Sequence, residues 1–196
     1  MASSIDASTS GAGGVITTAD NTGILQLKSG GTTIATISST GLALNAGNIT
    51  LPSTAAPTFS ASSSSTLSIS HATNTKIPFS IEDWDTNSNY DNSTNYRFTP
   101  TVAGYYQVNI KIQLEGTSSG GETYNALYKN GSLHKRVGMT PNIASTQRSP
   151  VGSILVYLNG STDYIEAYVF QNTGGAVALN GDSQLNYFQA FLARAA

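Results

Sequence analysis

Three sets of side chains in this sequence could do chemistry: two histidines, one run of acidic and amide residues, and several aromatics set around that run. His71 and His134 are the candidates for proton transfer near neutral pH, where an unperturbed imidazole titrates. His71 follows a serine-rich stretch, and His134 stands beside Lys135 and Arg136, which disfavour its protonation. Neither has a neighbouring carboxylate to orient it as a general base, so both read as surface histidines. The one G-x-S-x-G match, Gly116-Thr117-Ser118-Ser119-Gly120, is not followed by the helical pattern that would make it a nucleophile elbow, and the 196 residues include no cysteine. Thiolate catalysis, zinc ribbons, iron–sulfur clusters and disulfides are therefore excluded together. Gly120-Gly121 and Gly174-Gly175 read as turn glycines, because no helix follows them to present an N-terminus to a phosphate. The expectation is a protein that is not an enzyme and carries no cofactor.

The acidic run is Glu82-Asp83-Trp84-Asp85-Thr86-Asn87-Ser88-Asn89-Tyr90-Asp91. Asp85, Asn87, Asn89 and Asp91 place oxygen donors at alternate positions, the ligand type that calcium takes. An EF-hand loop starting at Asp85 would need Gly and Glu where Tyr90 and Tyr96 stand. A solvated loop is the plainer reading, with those four residues as the only metal candidates. Trp84, Tyr90, Tyr96, Tyr105 and Tyr106 could stack on sugar rings; the alternative is that they pack in a core or between subunits, where aromatics dominate the energetics.

Composition narrows the field further. Charged residues make up 10% of the chain and the net charge is -2, against a charged share of roughly 25% in ordinary soluble proteins. There is no basic footprint for nucleic acid or an anionic membrane. The longest strongly apolar run, Ile154 to Leu158, is too short to insert in a bilayer, and MASSIDASTSGAGG has neither the basic nor the apolar part of an export signal. The chain is expected to be made in a cytoplasm and to reach an exterior only by assembly into something released.

These residues must be positioned by strands. From Tyr106 the side chains of Tyr106, Val108, Ile110, Ile112 and Leu114 fall on one face of an extended chain, and those of Gln107, Asn109, Lys111, Gln113 and Glu115 on the other. Asn130-Gly131 and Asn159-Gly160 sit between β-prone runs, and Asn180-Gly181 precedes the closing run Leu185 to Leu192; each dipeptide signals a tight hairpin turn. The fold class is all-β, an antiparallel sandwich over residues 57–196. The closing run is apolar on both faces, with Leu185, Tyr187 and Phe191 on one and Phe188, Ala190 and Leu192 on the other. A strand apolar on both sides lies between two packed layers, the second of which is most simply another subunit.

Residues 1–56 are different. They hold no aromatic residue and only three charged ones, Asp6, Asp20 and Lys28. Ile24 to Leu27 and Thr33 to Ile37 flank Ser29-Gly30-Gly31 as a short hairpin, and Leu42 and Leu44 are expected to face Ile49 and Leu51 in a second. Ribbons with so little bulk cannot offset their own ordering entropy, so Ile24, Leu25, Leu27, Ile34, Ile37, Leu42 and Leu44 are expected to attach to other chains.

Four motifs in order carry a resemblance to a known family. Tyr96 to Tyr106 (YRFTPTVAGYY) resembles the aromatic-x-Pro-x-x-x-Gly-Tyr-Tyr signature of the globular head of complement C1q and its relatives in the tumour necrosis factor superfamily. Leu127 to Gly131, Gly152 to Leu158, and Tyr187 to Leu192 are similar to that family's later strands, with Ala190 where the family has Gly. The resemblance covers residues 57–196 and implies a ten-stranded jelly roll assembled as a homotrimer, with Tyr105, Tyr106, Leu185, Tyr187, Phe188, Phe191 and Leu192 between subunits. Gly14 to Thr18 followed by Asn21 to Leu27 and Ile34 to Ile37 is similar to segments of tailed-bacteriophage virion proteins. Together they imply a structural protein on the virion surface, whose N-terminal hairpins intertwine in the trimer and dock through Ile24, Leu25, Leu27, Ile34, Ile37, Leu42 and Leu44 onto phage capsid or tail proteins, as a capsid decoration or a short fibre. The alternative is a tail adhesin whose knob reads host surface carbohydrate.

Overall fold

The computed structural model describes residues 24–29, 31–39, 41–44, 56–116, 121–141 and 147–196. The chain divides into two compact units, Met1–Leu51 and Pro52–Ala196. Among the described residues there are strands and no helix, as a chain rich in β-branched residues, Gly and Asn would have it.

The described residues of the first unit form a three-stranded antiparallel sheet of β1 (Leu25–Ser29), β2 (Thr32–Ser38) and β3 (Gly41–Leu44), in the order β1-β2-β3. The hairpin expected about Ser29-Gly30-Gly31 is present, with Leu25 opposite Ile37 and a bulge after Leu27. Leu42 and Leu44 pair with Ile37 and Ala35. Their expected partners Ile49 and Leu51 lie outside the described residues.

The second unit begins with β4 (Thr58–Ser62), β5 (Ser68–Ile69), β6 (Thr75–Lys76) and β7 (Ile81–Asp85), followed by β8 (Tyr90–Asp91), β9 (Arg97–Phe98) and β10 (Ala103–Lys111). It continues through β11 (Glu122–Lys129), β12 (Ser132–Pro141), β13 (Val151–Asn159), β14 (Ile165–Gln171), β15 (Val177–Ala178) and β16 (Tyr187–Ala195). Two sheets pack face to face. One runs β13-β10-β16-β4-β7, and the other β12-β11-β14-β9-β8 with β6 also on β14; β15 and β5 form a small pair.

The alternation read from Tyr106 to Leu114 places all five apolar side chains at 0% exposure between the sheets. Phe59 is the hub of that core: it stacks on Tyr90 and Phe98 at centroid distances of 4.6 and 4.5 Å, and Phe188 meets it edge-on at 5.0 Å. Such pairs add to plain area burial.

Asn130 and Gly131, at φ 52° and 74°, make the expected tight turn between β11 and β12, a backbone that Asn tolerates and Gly adopts freely. Asn159-Gly160 does not make a hairpin. The strands on either side of it belong to different sheets, and the loop between them is a crossover held by the Asn159 side chain, whose Oδ1 accepts from the N–H groups of Ser161, Thr162 and Asp163. Asn180-Gly181 likewise lies in a loop between sheets, where the Asn180 amide donates to Glu115 at 2.8 Å. An Asn that satisfies successive backbone donors with its side chain and an Asn in a left-handed turn share one sequence signal.

The sandwich is closed along one side. β12 and β13 belong to different sheets, yet a Cβ on Gly138 would lie 2.4 Å from the Val151 carbonyl oxygen, and one on Gly152 would lie 2.6 Å from the Gly138 nitrogen. Only glycine allows that approach.

Candidate functional site

The outer face of the five-stranded sheet is where the body of this protein departs from an ordinary soluble surface. Alternation along β10, β13 and β16 fills the core with one set of side chains and sends another apolar set outward. On β13 the inner positions are Ile154, Val156 and Leu158, and the outer positions Val151, Leu155 and Tyr157 are exposed to 56%, 54% and 43%. Register then assembles these outer residues into rows. Tyr157 pairs with Tyr105 and Tyr105 with Arg194; Leu155 pairs with Gln107 and Gln107 with Phe191; Val151 pairs with Lys111 and Lys111 with Tyr187. The Tyr105 and Tyr157 rings meet at 5.5 Å. On β7, at the far side of the sheet, Trp84 is half exposed beside Ser60. The face thus carries Tyr, Phe, Trp and Leu, with polar groups paired among themselves: Gln189 donates to the Ser60 hydroxyl at 3.0 Å, which donates to Asp83 at 2.7 Å. Apolar centres with aromatic anchors and paired polar groups are the anatomy of a protein interface.

Of the residues expected between subunits, Tyr105, Tyr187 and Phe191 lie on this face. Tyr106 and Phe188 do not: both are fully buried within the chain. The Tyr106 hydroxyl donates to the Val102 carbonyl at 2.7 Å and burial pushes it up to about 12, while the Phe188 ring closes against Phe59, Phe79 and Tyr90. Leu192 packs against the edge of the core. Leu185 lies in a turn ahead of β16, half-buried. The physical reason is that the two faces of an apolar strand are equivalent in sequence, and only the pairing shows which one the second sheet covers. Val151, Leu155 and Tyr157 were missed, although Val151 to Leu158 carries the same apolar signal on both faces as the closing strand, whereas Trp84 was singled out among the aromatics.

The acidic run ends β7, turns at residues 86–88 and enters β8. The Asp85 carboxylate accepts from the N–H groups of Asn87 at 3.1 Å and Tyr90 at 2.6 Å. Asp91 accepts from the N–H groups of Ser93, Thr94 and Asn95, which hold its carboxyl far below the usual carboxylate range. The Asn89 Oδ1 accepts from the Thr101 N–H at 3.2 Å, and the Asn87 Oδ1 accepts from the Thr86 hydroxyl at 2.9 Å. Asp85, Asn89 and Asp91 thus bond backbone N–H groups and Asn87 a hydroxyl, and among the described residues no three His, Cys, Asp or Glu side chains gather to hold a metal ion.

The sugar-stacking candidates also divide. Tyr90 is buried, its hydroxyl donating to the Phe79 carbonyl and raised by burial and by Asp91. Tyr106 is core and Tyr96 is half-buried, which leaves Trp84 and Tyr105 exposed. Other rings cluster on the second sheet, where Tyr124 stacks on Phe170 at 4.6 Å and Tyr128 on Tyr168 at 3.9 Å, with Arg136 over Tyr124. His71 accepts the Gly174 N–H at Nδ1, and His134 is lowered by desolvation together with Lys135 and Lys129. Neither faces a carboxylate in a hydrogen bond.

In the first unit the seven attachment candidates, Ile24, Leu25, Leu27, Ile34, Ile37, Leu42 and Leu44, are exposed by 37% to 57%.

Two sheets, antiparallel throughout, joined by crossovers and enclosing one aromatic core, define a jelly roll of the C1q and tumour necrosis factor type. The globular domain of zebrafish complement 1qA matches over 71% of this chain and 98% of its own, at 19% identity and a TM-score of 0.53. Eiger TNF from S. frugiperda matches over 72% and 94%, at 14% identity and 0.51. Murine APRIL matches over 70% and 98%, at 9% identity and 0.51. No protein-family profile and no curated protein matches the sequence.

Proposed function

We propose that this chain is a non-enzymatic structural protein that assembles as a homotrimer through the outer face of its five-stranded sheet. Its N-terminal unit anchors it to a tailed-phage particle and its jelly roll is displayed on the virion surface, as a capsid decoration or a short spike. The observation that carries the assembly is the exposed patch of Tyr157, Tyr105, Leu155 and Phe191 on two adjacent rows, left in water by a sandwich whose own core is already complete. A patch of that kind on a soluble domain marks an interaction site. The occupant is a second copy because the motif resemblance in residues 57–196 implies a threefold family, and the neighbours found by shape support the same fold. The phage setting rests on the likeness of residues 14–37 to virion segments.

Carbohydrate reading by the knob is less favoured. The exposed rings that a sugar could stack on, Trp84, Tyr105 and Tyr157, stand on the face that assembly would cover, and the tyrosines of the other sheet stack on one another. The test is the mass of the purified protein by light scattering: three times the 20.4 kDa chain is expected, and a monomer at micromolar concentration overturns the reading. Antibody labelling of intact particles then locates the protein, label on the head supporting decoration and label on the tail supporting a spike.

A further inference from the structure

Among the described residues of the N-terminal unit, none lies over one face of its sheet. Register sets Leu25 beside Ile37 and Ile37 beside Leu42, then Leu27 beside Ala35 and Ala35 beside Leu44. Residues paired across an antiparallel sheet share a face. These six therefore make two apolar rows across three strands with no polar side chain between them, while Gln26, Thr36 and Ala43 make the row on the opposite face. Ala35, at the centre, is 5% exposed, and the five larger residues around it are exposed by 40% to 57%. With about 180 Å² for a fully exposed Leu or Ile, the face leaves ~400 Å² of apolar surface in water.

The chemistry of the face selects its occupant. It offers no charge with which to choose an unlike protein, since the one charged side chain among the unit's described residues, Lys28, stands beyond the bulge and pairs with Thr33 near the turn. It offers an apolar surface that another copy of itself matches. A pair of such faces buries about 800 Å², the scale of a chance crystal contact, and three closing on one another divide about 1,200 Å² among three pairwise contacts, so the face does not hold copies together unaided and needs the tether of an assembled body.

We propose that this face closes on the same face of two further copies, forming a three-sided prism with Leu25, Leu27, Ala35, Ile37, Leu42 and Leu44 inside. The proposal rests on the trimer reading above, which brings three N-terminal units within reach of one another. Residues 45–57 can span at most ~45 Å, and a short tether raises the local concentration to roughly the millimolar range. It also changes what meets the particle. The leucines turn inward, and Ile24 and Ile34, which lie outside the two rows, remain with the polar face for attachment.

A chain without cysteine allows the test to be made one thiol at a time. Leu42→Cys and Ala43→Cys are neighbours on opposite faces, as are Leu27→Cys and Gln26→Cys. In the full-length protein at three-copy mass, maleimide labelling of Leu42→Cys and Leu27→Cys is expected to be at least tenfold slower than that of their neighbours, and equal in urea. Amide exchange over residues 25–44 of the unsubstituted chain gives a reading free of any substitution, with strong protection expected. A three-copy mass with all four thiols labelled alike, or with exchange as fast as in an unfolded peptide, overturns the prism and leaves the trimer of jelly rolls standing. A two-copy mass with protection overturns threefold closure. A single-copy mass, protected or not, overturns both readings.

Discussion

Replacing Leu155 with Asp perturbs assembly at a position where the stability of one chain is not at stake. Leu155 is 54% exposed on β13, so in an isolated chain the exchange costs no more than about 0.5 kcal/mol. In the proposed trimer that side chain is covered. Taking about 180 Å² for a fully exposed leucine, ~100 Å² per protomer would no longer be removed from water, a loss of ~2.5 kcal/mol per subunit at 25 cal/mol/Å². Three subunits lose ~7 kcal/mol together, and the desolvation of an unpaired carboxylate adds to it. At about 1.4 kcal/mol per decade the trimer dissociation constant rises by about five decades. The concentration of half dissociation varies as the square root of that constant, so it rises by about 300-fold. Sedimentation velocity between 0.1 and 100 µM would read the shift (about three decades of concentration). The control is Leu133→Asp, 46% exposed on β12 of the other sheet. Leu155→Asp is expected to dissociate on dilution while Leu133→Asp keeps the parent mass. Equal masses for all three proteins throughout would refute the placing of the interface on this face.

Three further outcomes follow from named hydrogen bonds. Tyr106→Phe removes the bond to the Val102 carbonyl inside the chain; urea unfolding should show a loss of about 1 kcal/mol with no change in subunit number, and a loss of trimer instead would return Tyr106 to the interface. Asn159→Ala strips three backbone donors of their acceptor in the crossover loop; it should cost about 1–2 kcal/mol, seen as a lower melting temperature, and a neutral result would mean that water replaces the side chain. Asp91→Asn should be less stable than the parent at pH 7. The carboxyl of Asp91 is lowered by its bonds to the N–H groups of Thr94 and Ser93, so the stability it contributes is complete above its unfolded value near pH 4 and is lost as pH falls toward its folded one. The gap in urea midpoint between the two proteins should therefore be constant from pH 8 to 5 and shrink below pH 4, and a gap that persists unchanged at pH 2 contradicts the assignment.

Period-2 alternation made the facing of Tyr106 to Leu114 readable residue by residue, because one side meets a core and the other does not, although the strand itself runs Ala103–Lys111. Asn130-Gly131 was readable for a similar reason: the signal is local and so is the turn. Asn159-Gly160 was not, since whether a chain folds back or crosses to the opposite layer depends on partners far away in sequence. The same limit explains the interface residues. That Tyr187 to Leu192 is apolar on both faces is written in the sequence, but Phe188 and Phe191 exchange roles unless it is known that β16 sits between β10 and β4. The oxygen-rich alternation from Asp85 to Asp91 has two readings in sequence because calcium and a backbone N–H ask for the same donor atoms.

The contact between Gly138 and Gly152 has a consequence for how this molecule behaves when crowded. It places the outermost strands of the two layers, β12 and β13, against each other, and so restricts the room on that flank for a foreign strand to dock. On the opposite flank β8 is two residues long, and β7 carries Glu82, Asp83 and Asp85 in a run of five. Short length and clustered like charge both discourage the strand-by-strand addition through which sheet proteins polymerise. Many copies could thus be held side by side at high density while growth into fibrils is opposed on either flank.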